Sequence, residues 1–426
     1  MRIVQVIENF YPDSIGGTET YVFNVSKFFI EANHEVHIIA PSIKGDKEYV
    51  YEGIYVHRYL IDKIASKDEY KQSVAPKGLD DFICIIKKIT PDVVHFNTFN
   101  RSINIYHLKS VKALGIKAFL TPHISGIFCA NGSMIDFRGQ QCDGIVSRHN
   151  CIKCYLRTNG YGAISSFIIQ ISSLFINKPK TLNSYLPASS FIKQNRIKEF
   201  ECINKFADGV IALSPWIETA LKANGLTNVV LVRQGISENS LFKGENTLKP
   251  SHKLHLIYVG RVYPIKNLET LYNAITAIAP EKIELTMACI CDNDDYAQKI
   301  KSQFCALPNV KWYEKVPQYK LGEMIRKQDF LVLTSISEMS PLVILESFAN
   351  GTPVIGTDIP PIQDNVTDGI NGILFPVSDN KALSNIFAEC ISNKSLISTL
   401  RSNIKSPRTF NAVANELLHI YNYQQS

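Results

Sequence analysis

Short apolar runs recur along the chain and alternate with segments whose apolar positions repeat every three to four residues. Ile3 to Ile7, Val36 to Ala40, Val93 to Phe96, Ala118 to Thr121, Val210 to Leu213 and Val229 to Val232 form a first set of predicted strands. Leu254 to Val259, Ile283 to Met287, Val310 to Trp312, Phe330 to Thr334, Pro353 to Gly356 and Ile373 to Phe375 form a second. These runs are continuously apolar rather than alternating, as expected of strands buried on both faces, so the pattern predicts an α/β protein with parallel sheets covered by helices. After the first run comes a loop with Gly16 and Gly17, then Tyr21, Val22, Val25, Phe28 and Phe29 at helical spacing. The polar, turn-rich segment Ser237 to Lys253 separates the two sets and reads as a linker. The predicted division is 1–236 and 237–409, with a last helix over Phe410 to Tyr421 in the remaining segment 410–426.

Length agrees, since 426 residues exceed what one hydrophobic core usually supports. A net charge of +6, without a recognition motif, is too small to imply a nucleic-acid partner. The opening MRIVQVIENF lacks an apolar core of signal-peptide length, and no uninterrupted apolar stretch is long enough to span a bilayer, so the expected location is cytoplasmic.

The densest chemistry lies between Thr334 and Phe375. Ser340 is a preferred N-cap residue and Pro341 suits the first helical position, so a helix is predicted to begin there and to stop at Gly351 and Pro353. Free N–H groups of Ser340, Leu342 and Val343, at the positive end of that helix, suit a diphosphate. Glu338 before the helix and Glu346 inside it would reach groups on either side of the phosphates. The plainer alternative is a well-capped core helix with incidental carboxylates.

The spacing Glu338-x7-Glu346, followed by GTPVIGTD and DGINGILF, resembles the donor-site signature of the retaining glycosyltransferases of family 4. FYPDSIGGTETYVFNVSKFFIEANHEVHIIAP is similar to that family's amino-terminal glycine loop and first helix, and YVGRVYPIKNLETLYNAI to its Gly-Arg and Lys-Asn stretch. The resemblance implies the GT-B fold, two Rossmann-like doubly wound domains facing a central cleft, with the last helix crossing back to the first domain. It implies transfer from a UDP- or GDP-sugar to a hydroxyl of a glycan or lipid-linked acceptor, with retention of configuration and no catalytic metal. It assigns Arg261 and Lys266 to the diphosphate, Glu338 to sugar hydroxyls, Glu346 to the ribose and His123 to the reacting centre. Gly16 and Gly17 would lie near diphosphate and acceptor, and Val316 would offer its backbone to the base. Chemically, a cationic pair at a strand end can neutralise the departing nucleoside diphosphate in place of a metal. A surface charge is the alternative for either cation, and a hydrogen-bonded structural role for His123.

Cys129, Cys142, Cys151 and Cys154 place four of the ten cysteines within 26 residues of an insertion covering about 125–200. The C-x2-C pair plus two thiolates fits a structural zinc site, with His149 a substitute ligand, and an iron–sulfur cluster uses the same number of ligands. Cys84, Cys202, Cys289, Cys291, Cys305 and Cys390 read as small buried hydrophobes. The basic residues Arg148, Lys153, Arg157, Lys178, Lys180, Lys193, Arg196 and Lys198 flank the apolar stretch Ile164 to Ile176, which suits either an anionic membrane surface or a core helix with basic loops. Two stretches depart from the family pattern: Ala288 to Asp294, where a glycine-rich turn is common, and Arg233-Gln234-Gly235, where Pro-Asn-Gly is frequent. A sugar-phosphate synthase or phosphorylase on the same fold, or a non-catalytic partner subunit, are the competing readings.

Overall fold

A computed structural model describes residues 1–423 except 15, 64–68, 70–73, 101, 130, 159, 161, 163–188 and 241–250. The apolar stretch Ile164 to Ile176, Lys178, Lys180 and most of the linker therefore lie outside the described residues. The chain divides into two compact units, Met1–Arg233 with Asn411–Ser426, and Gln234–Phe410.

The first unit holds strands β1 (Arg2–Val6), β2 (Glu35–Ser42), β3 (Lys47–Tyr51), β4 (Ile54–Leu60), β5 (Val93–Phe96), β6 (Lys117–Leu120), β7 (Gly209–Ala212) and β8 (Val229–Leu231). They form one sheet in the order β3-β4-β2-β1-β5-β6-β7-β8. All pairs are parallel except β3 with β4. Strand β1 lies between β2 and β5, so the sheet changes direction at its carboxyl end, where ligands of open α/β sheets approach. The helix Gly17–Glu31 starts there and buries Tyr21, Val22, Val25 and Phe29, while Phe28 stays half-buried. Ile3, Val4, Val6, Val94, Phe96 and Leu120 are fully buried and make the sheet's own core. The helix Phe410–Asn422 closes this unit, where Tyr421 is 1% exposed and bonded to His95.

Strands β3 and β4 do not follow from the apolar-run pattern. They are an edge hairpin whose apolar residues are interrupted by the polar pairs Lys47-Glu48 and His57-Arg58, and Glu52 and Gly53 both take positive φ (46° and 87°), the backbone that a tight two-residue turn requires.

The second unit holds β9 (Leu254–Arg261), β10 (Ile283–Ile290), β11 (Val310–Glu314), β12 (Phe330–Leu333), β13 (Val354–Thr357) and β14 (Gly372–Phe375), all parallel in the order β11-β10-β9-β12-β13-β14. Alternate residues feed two separate apolar clusters, one on each face of the sheet. Leu254, Leu256, Tyr258, Phe330 and Val332 join one, and Ile257, Leu331 and Leu333 join the other. Burial on both faces explains why these strands appear in the sequence as unbroken apolar runs. Here β9 and β12 flank the change of direction, and the loops that follow them carry the charged residues described next.

Candidate functional site

Strand β9 ends on Gly260-Arg261, and Tyr258 explains the glycine. The Tyr258 hydroxyl donates to Arg261 O at 2.9 Å and would stand 3.0 Å from a Cβ on residue 260. Arg261 Nη1 donates to Asp292 Oδ2 at 2.8 Å, and both side chains are about half exposed, so the pair is weak and readily exchanged for another anion. Asp294, two residues on, caps the helix Asp295–Cys305 by accepting from Ala297 N at 2.9 Å. The two aspartates are thus committed to separate tasks.

A 3₁₀ turn, Pro264–Lys266, follows β9 and is fastened to the loop after β12. Ile336 N donates to Ile265 O at 2.8 Å, and Thr334 Oγ1 to Lys266 O at 2.8 Å. This fixes Lys266 Nζ 2.6 Å from Glu338 Oε1, which also accepts from Ser335 Oγ at 2.7 Å. The ammonium is 23% exposed and the carboxylate 11%, so the contact is a charge-assisted bond with little water around it. Ser335 was not foreseen; a hydroxyl three residues before the glutamate was the available signal.

The helix after this loop is Leu342–Ala349, and its N-cap is Pro341 rather than Ser340, with no side-chain capping bond. Pro341 keeps an extended ψ of 103°, so the chain turns helical one residue later than the Ser-Pro pattern predicts, and Leu342 and Val343 supply the first N–H groups that no intrahelical carbonyl reaches. Ile344, Ser347 and Phe348 are buried, whereas Leu342, Val343, Leu345 and Glu346 remain partly exposed, so the helix is less buried than its composition suggests. The Ser340 carbonyl accepts from Gln234 Nε2 at 3.3 Å. Gly235, next to it, could not carry a side chain, because a Cβ there would lie 2.6 Å from Thr409 O.

Glu346 Oε1 accepts from Gln318 Nε2 at 2.6 Å, and the same amide donates to Ser240 Oγ at 3.0 Å. Desolvation raises the Glu346 carboxyl above the ordinary carboxylate range, and the Gln318 bond opposes that shift. Gln318 escaped the sequence reading because nothing in its neighbourhood marks it. Val316 is half-buried against the apolar cluster that contains Leu331, Leu333 and Ile344, and follows Lys315, which takes a φ of 52° and donates its N–H to Cys289 O at 3.1 Å. Arg261, Lys266, Val316, Glu338, Ser340, Leu342, Val343 and Glu346 therefore all belong to the second unit.

In the first unit, Gly16 is the extended N-cap of the helix Gly17–Glu31, and Glu19 in its first turn accepts from Ser14 Oγ at 2.7 Å. His123 follows β6; its Nε2 lies 3.3 Å from Asn97 Oδ1 and its ring packs edge-on to Tyr21 at 4.5 Å. Burial, and the proximity of His95, push its pKa well below the usual histidine range. His34 sits in a turn, its Nδ1 2.9 Å from the amino terminus.

All ten cysteines are free thiols. Cys84 and Cys305 are exposed and Cys291 is half-buried, which corrects the reading of all six scattered cysteines as buried; only Cys202, Cys289 and Cys390 are so. Of the clustered four, Cys142 N donates to Met134 O at 2.7 Å in a small hairpin bridged by Ile135 and Gln141, and Cys154 Sγ lies 3.9 Å from Ile135 O. Burial raises the Cys142 thiol to about 12 and the Cys154 thiol to about 11, and backbone hydrogen bonds at Gly144, Ser147 and Phe137 act in the opposite direction on Cys142, Cys151 and Cys154. Such bonds favour a thiolate, and four sulfurs are the donor set of a structural zinc site. The side chains do not close on a common centre: among the described residues no three His, Cys, Asp or Glu groups stand where they could hold a metal ion.

Residues 242–406 match the family described as Glycosyl transferases group 1, and residues 15–161 match Glycosyltransferase Family 4. The chain is 27% identical over 225 residues to an uncharacterised glycosyltransferase of Methanocaldococcus jannaschii, an alignment covering 51% of this chain and 60% of that protein. It is 21% identical over 393 residues to N-acetyl-alpha-D-glucosaminyl L-malate synthase of Bacillus anthracis, covering 91% of this chain and 87% of that one. The solved structure of Anabaena Alr3699/HepE in complex with UDP-glucose superposes with a TM-score of 0.66 at 15% identity, covering 98% of both chains. The fold is GT-B, and the chain carries the two domains of a family 4-type glycosyltransferase, a class of glycosyl-transferring enzymes.

Proposed function

We propose that this protein moves a sugar from a UDP- or GDP-sugar to a hydroxyl of a glycan or lipid-linked acceptor, with retention of configuration. The observation that carries this reading is the Lys266–Glu338 contact held between two strand-end loops, one turn from a helix that starts with free N–H groups. Lys266 and Arg261 take the diphosphate, Leu342 and Val343 supply backbone donors, Glu338 holds sugar hydroxyls and Glu346 the ribose. His123, Gly16 and Gly17 serve the reacting centre. The departing phosphate assists removal of the acceptor proton, and no metal takes part in the transfer. The UDP-glucose held by the Anabaena protein favours a UDP-sugar. Cell-envelope polysaccharide synthesis on the inner face of a membrane fits the basic character of residues 148–198, and no described helix is long and apolar enough to cross a bilayer.

A thermal-shift panel of UDP, GDP, ADP and their sugar conjugates tests the reading, because a ligand at about 100 times its Kd stabilises the native state by about 2.7 kcal/mol. One nucleotide series is expected to raise the melting temperature, and Glu346→Ala to remove most of that rise. No shift with any nucleotide would overturn the proposal.

The C-x2-C pair and its two companion cysteines in the sequence motivate a second proposal, a structural zinc ion bound by Cys129, Cys142, Cys151 and Cys154, whose side chains would close on it as it binds and which takes no part in sugar transfer. Metal analysis of the purified chain is expected to find about one zinc ion per molecule, lost in the Cys151→Ser/Cys154→Ser variant. Iron with a visible absorption band would replace zinc by a cluster, and a metal-free, stable protein would overturn both.

A further inference from the structure

The first unit buries a run of polar side chains in a sheet that is otherwise apolar. Gln5 of β1 and His95 of β5 are Cα partners in the sheet, Asn97 and Thr121 stand just beyond the strand ends, and all four are at most 2% exposed. His95 is bonded to Tyr421 through Nδ1 and lies 2.7 Å from Thr121 Oγ1 through Nε2. Asn97 Nδ2 donates to Gln5 Oε1 at 2.6 Å and to the His95 carbonyl at 3.3 Å. Burying such groups is costly unless each is bonded, so the arrangement calls for a use.

The directions of these bonds determine a proton position. The His95 carbonyl can only accept, so the Asn97 amide must present its NH2 there and its Oδ1 on the opposite side. That oxygen, also only an acceptor, faces His123 Nε2 at 3.3 Å. His123 Nε2 therefore carries a hydrogen. Desolvation keeps the ring neutral, so Nδ1 is bare, and among the described residues no hydrogen bond reaches it. The Tyr21 ring, edge-on at 4.5 Å, holds the imidazole plane.

We propose that Asn97 is a positioning residue that locks His123 with its proton on Nε2, so that Nδ1 accepts a hydrogen bond from a sugar hydroxyl. This rests on the reading that His123 serves the reacting centre. A bare Nδ1 on a neutral ring can accept but not donate, which selects a hydroxyl over a carbonyl or an ether oxygen at that point.

The lock can be read without catalysis. Nitrogen-15 NMR of the full chain labelled at histidine, with His123 assigned by its loss in His123→Gln, is expected to show protonated Nε2 and bare Nδ1 at pH 6 to 8. Protonated Nδ1, or an exchanging mixture, would overturn the proposal even if the enzyme is active. In Asn97→Ala the tautomers are expected to mix and kcat/KM to fall by about tenfold, the effect of one hydrogen bond. Tyr421→Phe, which acts on the same network away from His123, is expected to lower stability and leave the tautomer unchanged. If Tyr421→Phe mixed the tautomers as Asn97→Ala does, general loosening rather than positioning would be the cause. A locked tautomer with normal turnover in Asn97→Ala would remove the sugar contact. Failure of the nucleotide panel would remove the functional reading while the NMR result stood.

Discussion

Lys266→Ala is expected to lower kcat/KM for sugar transfer by about 10²-fold or more, while circular dichroism stays that of the parent. Lys266 meets Glu338 at 2.6 Å in a nearly dry setting, and in the unliganded chain its charge is already partnered. A diphosphate brings more negative charge than one carboxylate, so the ammonium gains most when charge develops on the leaving group. Interactions that strengthen toward the transition state are those that accelerate the reaction. The loss should therefore fall on kcat rather than on KM alone. Glu338 retains the Ser335 hydroxyl in the variant, which moderates the cost of removing its cationic partner. Turnover within threefold of the parent would show that Lys266 does not serve the leaving group.

Much of this architecture was legible because both sheets are buried on both faces. All twelve predicted strands occur, with ends displaced by a few residues at most, since continuous runs such as Leu254–Val259 have few other ways to be satisfied. Strands β3 and β4 were missed because the polar pairs Lys47-Glu48 and His57-Arg58 break their apolar runs, although the Glu52-Gly53 turn between Tyr51 and Ile54 was a usable sign. The charged motif residues were likewise visible, because they follow strand ends. Their pairings were not: Lys266 with Glu338, Arg261 with Asp292 and Gln318 with Glu346 join positions far apart in the chain, and only the fold brings them into contact. The Ser340-Pro341 start misled by one residue, because local capping preference could not anticipate the extended Pro341 backbone. Asn97 gave no local sign at all, since its meaning comes from Gln5 and His95 on neighbouring strands.

Acid should unfold the first unit well before its carboxylates are all protonated. His95 and His107 are fully buried, and desolvation lowers both to about 3. Among the described residues neither is hydrogen-bonded to a carboxylate; His95 meets Tyr421 and Thr121, and His107 meets Tyr59 and the Asn104 N–H. In the unfolded chain both return to about 6.5, so below that pH the unfolded state binds more protons than the native one. The sign follows directly: a depressed folded pKa on a base makes stability fall as pH falls, here through the window from about 6.5 down to about 3. Each histidine contributes up to about 1.4 kcal/mol per pH unit within that window, and from pH 7.5 to pH 5 the two together remove about 4 kcal/mol, to which His123, lowered by burial to about 3 as well, adds about 2 kcal/mol. That is a large share of the roughly 5–15 kcal/mol that holds a domain folded. Glu35 and Glu48, whose pKa values are lowered mainly by hydrogen bonds to His37 and His57, add loss of the same sign only once pH drops through the carboxylate range. Urea titrations at pH 7.5, 6 and 5 are therefore expected to show a midpoint falling steadily above pH 5, and His107→Asn to flatten that slope by about a third. A midpoint unchanged between pH 7.5 and 5 would show that these imidazoles can take up protons inside the fold.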